Sequence, residues 1–332
     1  MVASTARRNI PFSGLRPLNV SRDLKAVADL IAEAFADDMD PSGERSVREM
    51  RAAGRWAFLF GWMDRLAPPG EGMAPGFVWV EDNRIVGTLS VRRTALPAGG
   101  RGWLIGNVAV SPGWRRRGIA RALMSAAIDL ARRRRGEWVA LQVRSDNMGA
   151  RALYQSLGFV SIGESIQYRR ARPAPITTPE PAAGDPLRMA RPADIDRIYS
   201  LAQMAIPEEL RWAEPLRRDD FWMGFDRGLN NWLTGRREAW WVIETTHGII
   251  GAAHAEANRP PNDGHLRVWV APAWQGEHED RLVRTALASL GDASNRPMMA
   301  AAPAAHTATR QALESAGFEV LRRLTHMRLN LR

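Results

Sequence analysis

The 332-residue chain contains no cysteine. Disulfides, thiolate nucleophiles and thiolate metal sites are therefore excluded, and a reducing compartment, the cytoplasm, is the expected location. Lysine is almost missing as well, with Lys25 as its only representative. No apolar run approaches the roughly 20 residues of a membrane helix, so no membrane partner is expected. The stretch "MVASTARRNIPFSG" has two arginines but no apolar core after them, and no signal peptide is read there. The six histidines show neither H-x-x-x-H nor H-E-x-x-H spacing, so no metal is expected.

What remains is the composition of a folded protein, with 45% hydrophobic and 25% charged residues. The formal charge of +10 admits polyanionic partners: nucleic acid, an acidic protein surface or a phosphorylated cofactor. Charge alone does not choose among them. The basic run "ARRRRGE" at 131–137 falls at a helix C-terminus, where cations suit the helix dipole, so no nucleic-acid patch is read there.

Residues 171–186, "ARPAPITTPEPAAGDP", read as an extended linker. On either side the chain repeats itself in order. "LRPLNVSRDLKAVADLIAEAF" (15–35) resembles "LRMARPADIDRIYSLAQMAI" (187–206), and "FVWVEDNRIVGTLSVRR" (77–93) resembles "AWWVIETTHGIIGAAHAEA" (239–257). "NVAVSPGWRRRGIARALM" matches "RVWVAPAWQGEHEDRLVR" (267–284), and "ARALYQSLGFVSIG" (150–163) matches "TRQALESAGFEVLR" (309–322). A period of half the chain means tandem domains. Each half reads β-α-α-β-β-β-α-β-α-β, which implies a mixed, mostly antiparallel sheet flanked by helices, of the α/β class. Strands are expected at Val78–Val80, Ile85–Val91 and Trp138–Val143. One helix is expected from about Arg116 to Arg135, and a second whose apolar side is Phe58, Leu59, Trp62 and Met63.

The stretch "VAVSPGWRRRGIARALM" (108–124) turns a strand into a helix through three arginines and a glycine. The first N–H groups of a helix lack intrahelical partners, and the dipole makes that end positive. Glycine lets an anion approach the backbone, and arginine adds forked donors. This is phosphate-binding chemistry without the Walker pattern G-x-x-x-x-G-K-[ST] and without G-x-G-x-x-G.

"RRRGIA" resembles the R/Q-x-x-G-x-G/A signature of the GCN5-related N-acetyltransferases (GNAT), and Asn147, Tyr154, Gly158 and Phe159 stand at that family's spacing. The resemblance covers 15–170 well and 187–330 in outline. It implies two tandem GNAT-like domains: an acyl-coenzyme A-binding catalytic domain at 1–170, the linker 171–186, and a degenerate domain at 187–332. It also implies acetyl-coenzyme A as cosubstrate. Val108, Ala109 and Val110 would lie along the pantetheine arm. Arg115, Arg116, Arg117, Gly118, Ile119 and Ala120 would hold pyrophosphate, and Asn147 would hydrogen-bond the cofactor. Tyr154 would protonate the departing thiolate. The acceptor is expected to be a primary amine, attacking directly; a small metabolite, an aminoglycoside-like antibiotic, a peptide N-terminus and a protein lysine all remain open. The other classes of function are a non-catalytic acyl-coenzyme A sensor and a basic binding module.

A phenol with a pKa near ~10 can donate at pH 7, and a backbone N–H can stabilise the acyl oxygen. The base is not assigned. Ribosomal-protein N-terminal acetyltransferases place a glutamate five residues before the asparagine; here that position is Gln142. Asp37, Asp38, Asp40 and Glu81 are candidates, as is a water chain. Many of the thirteen tryptophans (Trp56, Trp62, Trp79, Trp212, Trp222, Trp232, Trp240 and Trp241 among them) are expected in cores more than in an acceptor cleft. In the second half, aligning Trp114 with Trp274 sets "QGEHED" (275–280) opposite "RRRGIA". Aligning Gly158-Phe159 with Gly317-Phe318 sets His306 opposite Asn147 and Leu313 opposite Tyr154, so no acyl-coenzyme A site is expected there.

Overall fold

The computed structural model describes residues 12–36, 43–45, 47–52, 76–94, 100–171, 186–212, 216–223, 234–260 and 262–331. Its packing divides the chain into two units, Met1–Leu141 with Leu329–Arg332, and Gln142–Arg328. The expected helix around Phe58–Met63 and most of the linker lie outside the described residues.

In the first unit, strands β1 (Gly14–Pro17), β2 (Gly76–Glu81), β3 (Arg84–Thr94) and β4 (Gly102–Val110) run antiparallel to their neighbours, and β5 (Trp138–Arg144) is parallel to β4. Helix α1 (Val20–Ala34) starts at Asn19, whose side chain accepts from the Arg22 N–H. Its buried face, Val27, Ala28, Leu30 and Ile31, packs with Val78, Val80 and Ala109. Each such large aliphatic contributes about 1.5–3 kcal/mol. Helix α2 (Ile119–Arg133) buries Leu123, Met124, Ala127 and Ile128. Gly87 marks its approach to the sheet: a Cβ there would stand 2.8 Å from Ile119 and 3.2 Å from Leu123. The helix begins three residues later than the periodicity suggests, because Gly118 takes a left-handed φ of 80°.

The second unit holds helix α3 (Met148–Ser156), strand β6 (Val160–Arg170), β7 (Leu187–Met189), α4 (Ile195–Ala205), β8 (Arg237–Thr245), β9 (Gly248–Ala257), β10 (Gly264–Val270), α5 (Glu279–Ala288), β11 (Met298–Pro303), α6 (Thr307–Ser315) and most of β12 (Glu319–Asn330). The sheet order is β12-β6-β11-β10-β9-β8-β7, with β10 and β11 parallel. The plan of the first half recurs in detail. Gly251 would bring a Cβ to 3.0 Å from Leu282 of α5, as Gly87 does for α2. Arg16 pairs with buried Asp23 at 2.5 Å, and Arg188 with buried Asp194 at 2.7 Å. Strand β6, last of the first sequence repeat, is hydrogen-bonded on both edges by strands of the second, β11 and β12. Contacts therefore divide the chain within β5, whereas the sequence repeat divides it at the linker.

Trp103, Trp138, Trp212, Trp240 and Trp269 are buried, as core residues, while Trp222 is 47% exposed. Trp56, Trp62 and Trp232 lie outside the described residues.

Candidate acyl-coenzyme A site and its counterpart in the second half

Strand β4 is paired with β3 up to Gly87↔Val110, but its ladder to β5 runs only from Gly102↔Trp138 to Ile105↔Leu141. The β3–β4 register shifts between Thr88 and Ser90, and Asn107 there has a φ of 52°. This is a bulge, which bends β4 and re-aims the residues beyond it. Ser90 Oγ fixes it by donating to the Gly106 carbonyl at 3.1 Å and facing Asn107 Nδ2 at 3.2 Å. Of the three residues beyond the bulge, Ala109 is buried towards α1, and Val108 and Val110 are half-buried.

The turn that follows is anchored at its start. The Ser111 N–H donates to the Val86 carbonyl at 2.9 Å, and its hydroxyl to Glu33 of α1 at 3.1 Å. Arg115 does not reach outward with its whole guanidinium: Nε donates to the Val110 carbonyl and Nη2 to the Ala34 carbonyl, each at 3.2 Å. It ties the turn to α1 and β4. Arg117 lies 4.6 Å over the Trp114 ring, a cation–π contact that leaves its N–H edge available. Arg116 and Gly118 both take left-handed φ values, 65° and 80°. Alternation of this kind turns successive N–H groups to one side, as in anion-binding nests. A Cβ on Gly118 would meet nothing within 4 Å, so the space before the helix is open. The first intrahelical bond runs from Ala122 N–H to the Gly118 carbonyl, which leaves the Ile119 and Ala120 N–H groups to the helix end. No acidic residue occupies the first turn of α2. These features fit a pyrophosphate.

Asn147 and Tyr154 belong to the second packing unit. Asn147 caps α3, its Oδ1 accepting from the Ala150 N–H at 3.0 Å, which leaves its amide N–H groups to a ligand. Tyr154 is 6% exposed, with its ring 6.1 Å from that of Phe159. Burial pushes its phenol up to about 12, so it carries its proton throughout the neutral range. Of the base candidates, Glu81 accepts from Trp79 Nε1 at 2.7 Å, and this bond, with a second from Ser13, holds its carboxyl below the ordinary value. Asp37, Asp38 and Asp40 lie outside the described residues.

In the second half, Gly276 aligns with Arg116 and keeps its left-handed φ, at 100°, but His278, opposite Gly118, has a φ of −128°. The cradle is already filled. Buried Glu279 turns its carboxylate back onto the loop and accepts from the Gly276 N–H at 3.0 and 3.1 Å and from the His278 N–H at 3.2 Å. His306 opens α6 without a side-chain cap, and burial holds its imidazole below the usual value. Leu313 is buried where Tyr154 stands in the first half.

One polar cluster has no signal in the sequence, because its members are far apart in the chain. Glu164 Oε1 accepts from Thr325 Oγ1 at 3.0 Å and from Ser145 Oγ at 3.2 Å. On the neighbouring residues, Ser165 Oγ and His326 Nε2 lie 2.7 Å apart, both buried. His326 Nδ1 is buried without a hydrogen-bond partner.

Residues 33–159 match the family model described as Acetyltransferase (GNAT) family. This stretch belongs to the GNAT family. The chain is 40% identical over 79 residues to the N-alpha-acetyltransferase RimI of Mycobacterium tuberculosis, which is 24% of this chain and 48% of that protein. It thus spans about half the length of this curated relative. Among solved structures, a GCN5-related N-acetyltransferase from Sphaerobacter thermophilus superposes with a TM-score of 0.64 at 18% identity, over 96% of this chain and 95% of that one. A tandem GNAT protein from the clavulanic acid biosynthesis pathway gives a TM-score of 0.58 at 20% identity, over 96% and 98%. At these identities the likeness is one of fold, and it extends over both halves of the chain.

Proposed function

We propose that the chain is an N-acetyltransferase that moves an acetyl group from acetyl-coenzyme A to a primary amine, with 1–170 as its catalytic part and 187–332 as a degenerate second domain. The observation that carries this reading is the open, carboxylate-free nest at Arg116–Gly118 before α2, set against the same nest in the second half, filled by Glu279. The one would take pyrophosphate, and the other supplies its own anion. Acetyl-coenzyme A brings an activated thioester, and the protein positions it. Val108, Ala109 and Val110 would offer backbone groups to the pantetheine arm as an added strand does. The N–H groups of 115–120, with the edges of Arg116 and Arg117, would hold the phosphates. Asn147 would donate to the cofactor. Tyr154, protonated at neutral pH, would give its proton to the leaving sulfur. The GNAT family match and the RimI relative support an amine acceptor, and the relative's name points to an α-amine.

The test is mass spectrometry of the purified chain with acetyl-coenzyme A and a pooled library of primary amines, including metabolites, aminoglycosides and peptides with free N-termini. Acetylation of at least one member is expected. Acetylation of none, with cofactor bound, would instead make the chain an acyl-coenzyme A sensor.

A further inference from the structure

Each half of the chain joins an arginine of its first strand to an aspartate near the start of its first helix, and the surroundings of that pair differ. The strand registers set the correspondence. Arg16 stands opposite Val78 of β2, as Arg188 stands opposite Val242 of β8. The ladders to β3 and to β9 then shift register at the same place, just before Val80 and just before Glu244, which pair with Ile85 and Ile249. Val80 therefore corresponds to Glu244. On α1 and α4, Ala26 and Arg197 each come three residues after the aspartate, so they correspond as well.

The two guanidinium groups engage their aspartates atom for atom. Nη1 and Nη2 of Arg16 donate to the two Asp23 oxygens at 2.5 and 2.9 Å, and those of Arg188 to the two Asp194 oxygens at 2.7 and 3.0 Å. The other edge of each group, Nε with Nη2, is where they part. In the second half a carboxylate occupies it. Arg188 Nε donates to Glu244 at 2.7 Å and Nη2 donates to the same oxygen, while Arg197 Nη2 donates to the other Glu244 oxygen at 2.6 Å. In the first half Arg16 Nε has no partner among the described residues. Where the second half has Arg197 and Glu244, the first has Ala26 and Val80, and beside them a cleft of about 830 Å³ is open.

Arg16 lines this cleft, with Ala26, Leu30, Val80 and Ile85 as its apolar surface. Arg84 lines it too, and its guanidinium has no partner among the described residues. The aspartates on its wall are matched by cations: Asp23 pairs with Arg16 and Arg22, and Asp29 with Lys25 and Arg51. Glu33, on the same wall, accepts from the Ser111 hydroxyl. Among the described residues none of 108–120 lines the cleft, so it is separate from the nest and from the strand expected to carry the cofactor. An arginine edge matches the two oxygens of a carboxylate in spacing and direction.

We propose that this cleft binds a small aliphatic carboxylate, whose anionic group takes on Arg16 the position that the Glu244 carboxylate holds on Arg188. The aliphatic body lies over Ala26, Leu30, Val80 and Ile85, and Arg84 adds a second positive charge. The second half supplies both the carboxylate and the covering cation, Arg197, from its own chain. Simple fatty acids and α-amino acids share this chemistry, and the ammonium of the latter would face Glu33. The proposal stands independently of the acetyltransferase reading.

The test is saturation-transfer NMR on the full-length chain with probes of one carbon skeleton: isocaproate, L-leucine and the neutral isocaproamide. At least one of the two acids should bind, and the amide should bind at least about tenfold more weakly. Binding of leucine alone identifies the ligand as an amino acid; binding of isocaproate, with or without leucine, makes the carboxylate sufficient. Either result supports the site. No binding of either acid up to about 10 mM overturns it, and so does an amide that binds as well as the acids. Saturating acetyl-coenzyme A should leave the signal in place; displacement would put the probe in the cofactor site and overturn the proposal. Ala26→Arg combined with Val80→Glu transplants the second half's ion pair and should weaken probe binding at least about tenfold. Unchanged binding in that folded variant overturns the proposal. If the variant does not fold, because Val80 is buried, the reverse exchange decides. Arg197→Ala combined with Glu244→Val frees the Arg188 edge and should add a second binding event for the same probe, and the absence of a second event overturns the proposal.

Discussion

At the scale of single residues, Tyr154 and Gly118 carry the sharpest expectations. Tyr154 is buried, and its ring packs on Phe159 whether or not the hydroxyl is present. Tyr154→Phe should therefore fold and bind acetyl-coenzyme A while kcat drops about 10²–10⁴-fold. Because burial raises the phenol to about 12, the acid form persists beyond the ordinary tyrosine range. The alkaline limb of kcat should stay flat through about pH 10. A steady-state series from pH 6 to about 11 checks both statements, and an unchanged rate in the phenylalanine variant would make the residue a packing group. Gly118 separates strain from blocking. Its left-handed φ costs any side chain about 1–2 kcal/mol, but the space before it is open. Gly118→Ala should lose stability and keep most of its affinity. Gly118→Glu should lose at least about tenfold in acetyl-coenzyme A affinity beyond that, because it brings a carboxylate to the nest. Calorimetry and thermal melts on the two variants distinguish the effects.

At the scale of elements, the two halves hold their first strand to their first helix by the same device. Arg188 of β7 pairs with Asp194 at 2.7 Å and with Glu244, and Arg197 joins Asp194 at 3.4 Å. The Arg188 guanidinium holds the Asp194 carboxyl below its ordinary value of 3.8, against the opposing pull of burial. A depressed carboxylate pKa stabilises the fold above the unfolded value, near ~4, and that stability is lost as pH falls through the folded value. Asp194→Asn should therefore cost about 1–3 kcal/mol at pH 7, less than a fully buried pair because Arg188 is partly exposed. The gap to the unaltered chain should close progressively below about pH 4. Denaturant titrations at pH 7, 5 and about 3 read this directly, and a gap that stays constant with pH would assign the loss to packing.

At the scale of the whole molecule, the question is how many acyl-coenzyme A sites a duplicated chain keeps. The nest before α2 is open, and the nest before α5 is filled by Glu279. Calorimetry with acetyl-coenzyme A should show one binding event per chain. Glu279→Ala should not create a second, because His278 lacks the left-handed turn and the loop sequence at 275–280 carries no arginine. It should instead lower stability by about 1–3 kcal/mol, since the loop N–H groups lose a buried acceptor. Two equivalent events in the unaltered chain would overturn the degenerate reading.

The sequence by itself determined the repeat, the order of the described strands and helices, the glycine turn and the likeness of residues 33–159 to the GNAT family. These are local patterns: a period of two or 3.6, a glycine needing a left-handed φ, a run of arginines at a helix start. The filled cradle was half legible, since "QGEHED" shows the carboxylates but not which of them folds back; only Glu279 does, because a buried position beside two free N–H groups favours it. The tertiary structure alone decided the rest. Arg115 looks like its neighbours in sequence, yet it is drawn onto the Ala34 and Val110 carbonyls because α1 ends beside the turn. Strand β6 is paired by β11 and β12, so the end strand of one repeat is completed by the other, and hydrogen-bond partners on both edges stabilise that arrangement. Ser165 and His326 are brought to 2.7 Å across 161 residues by that pairing. No periodicity or spacing reports such a meeting, because a ladder joins residues by register and not by distance along the chain.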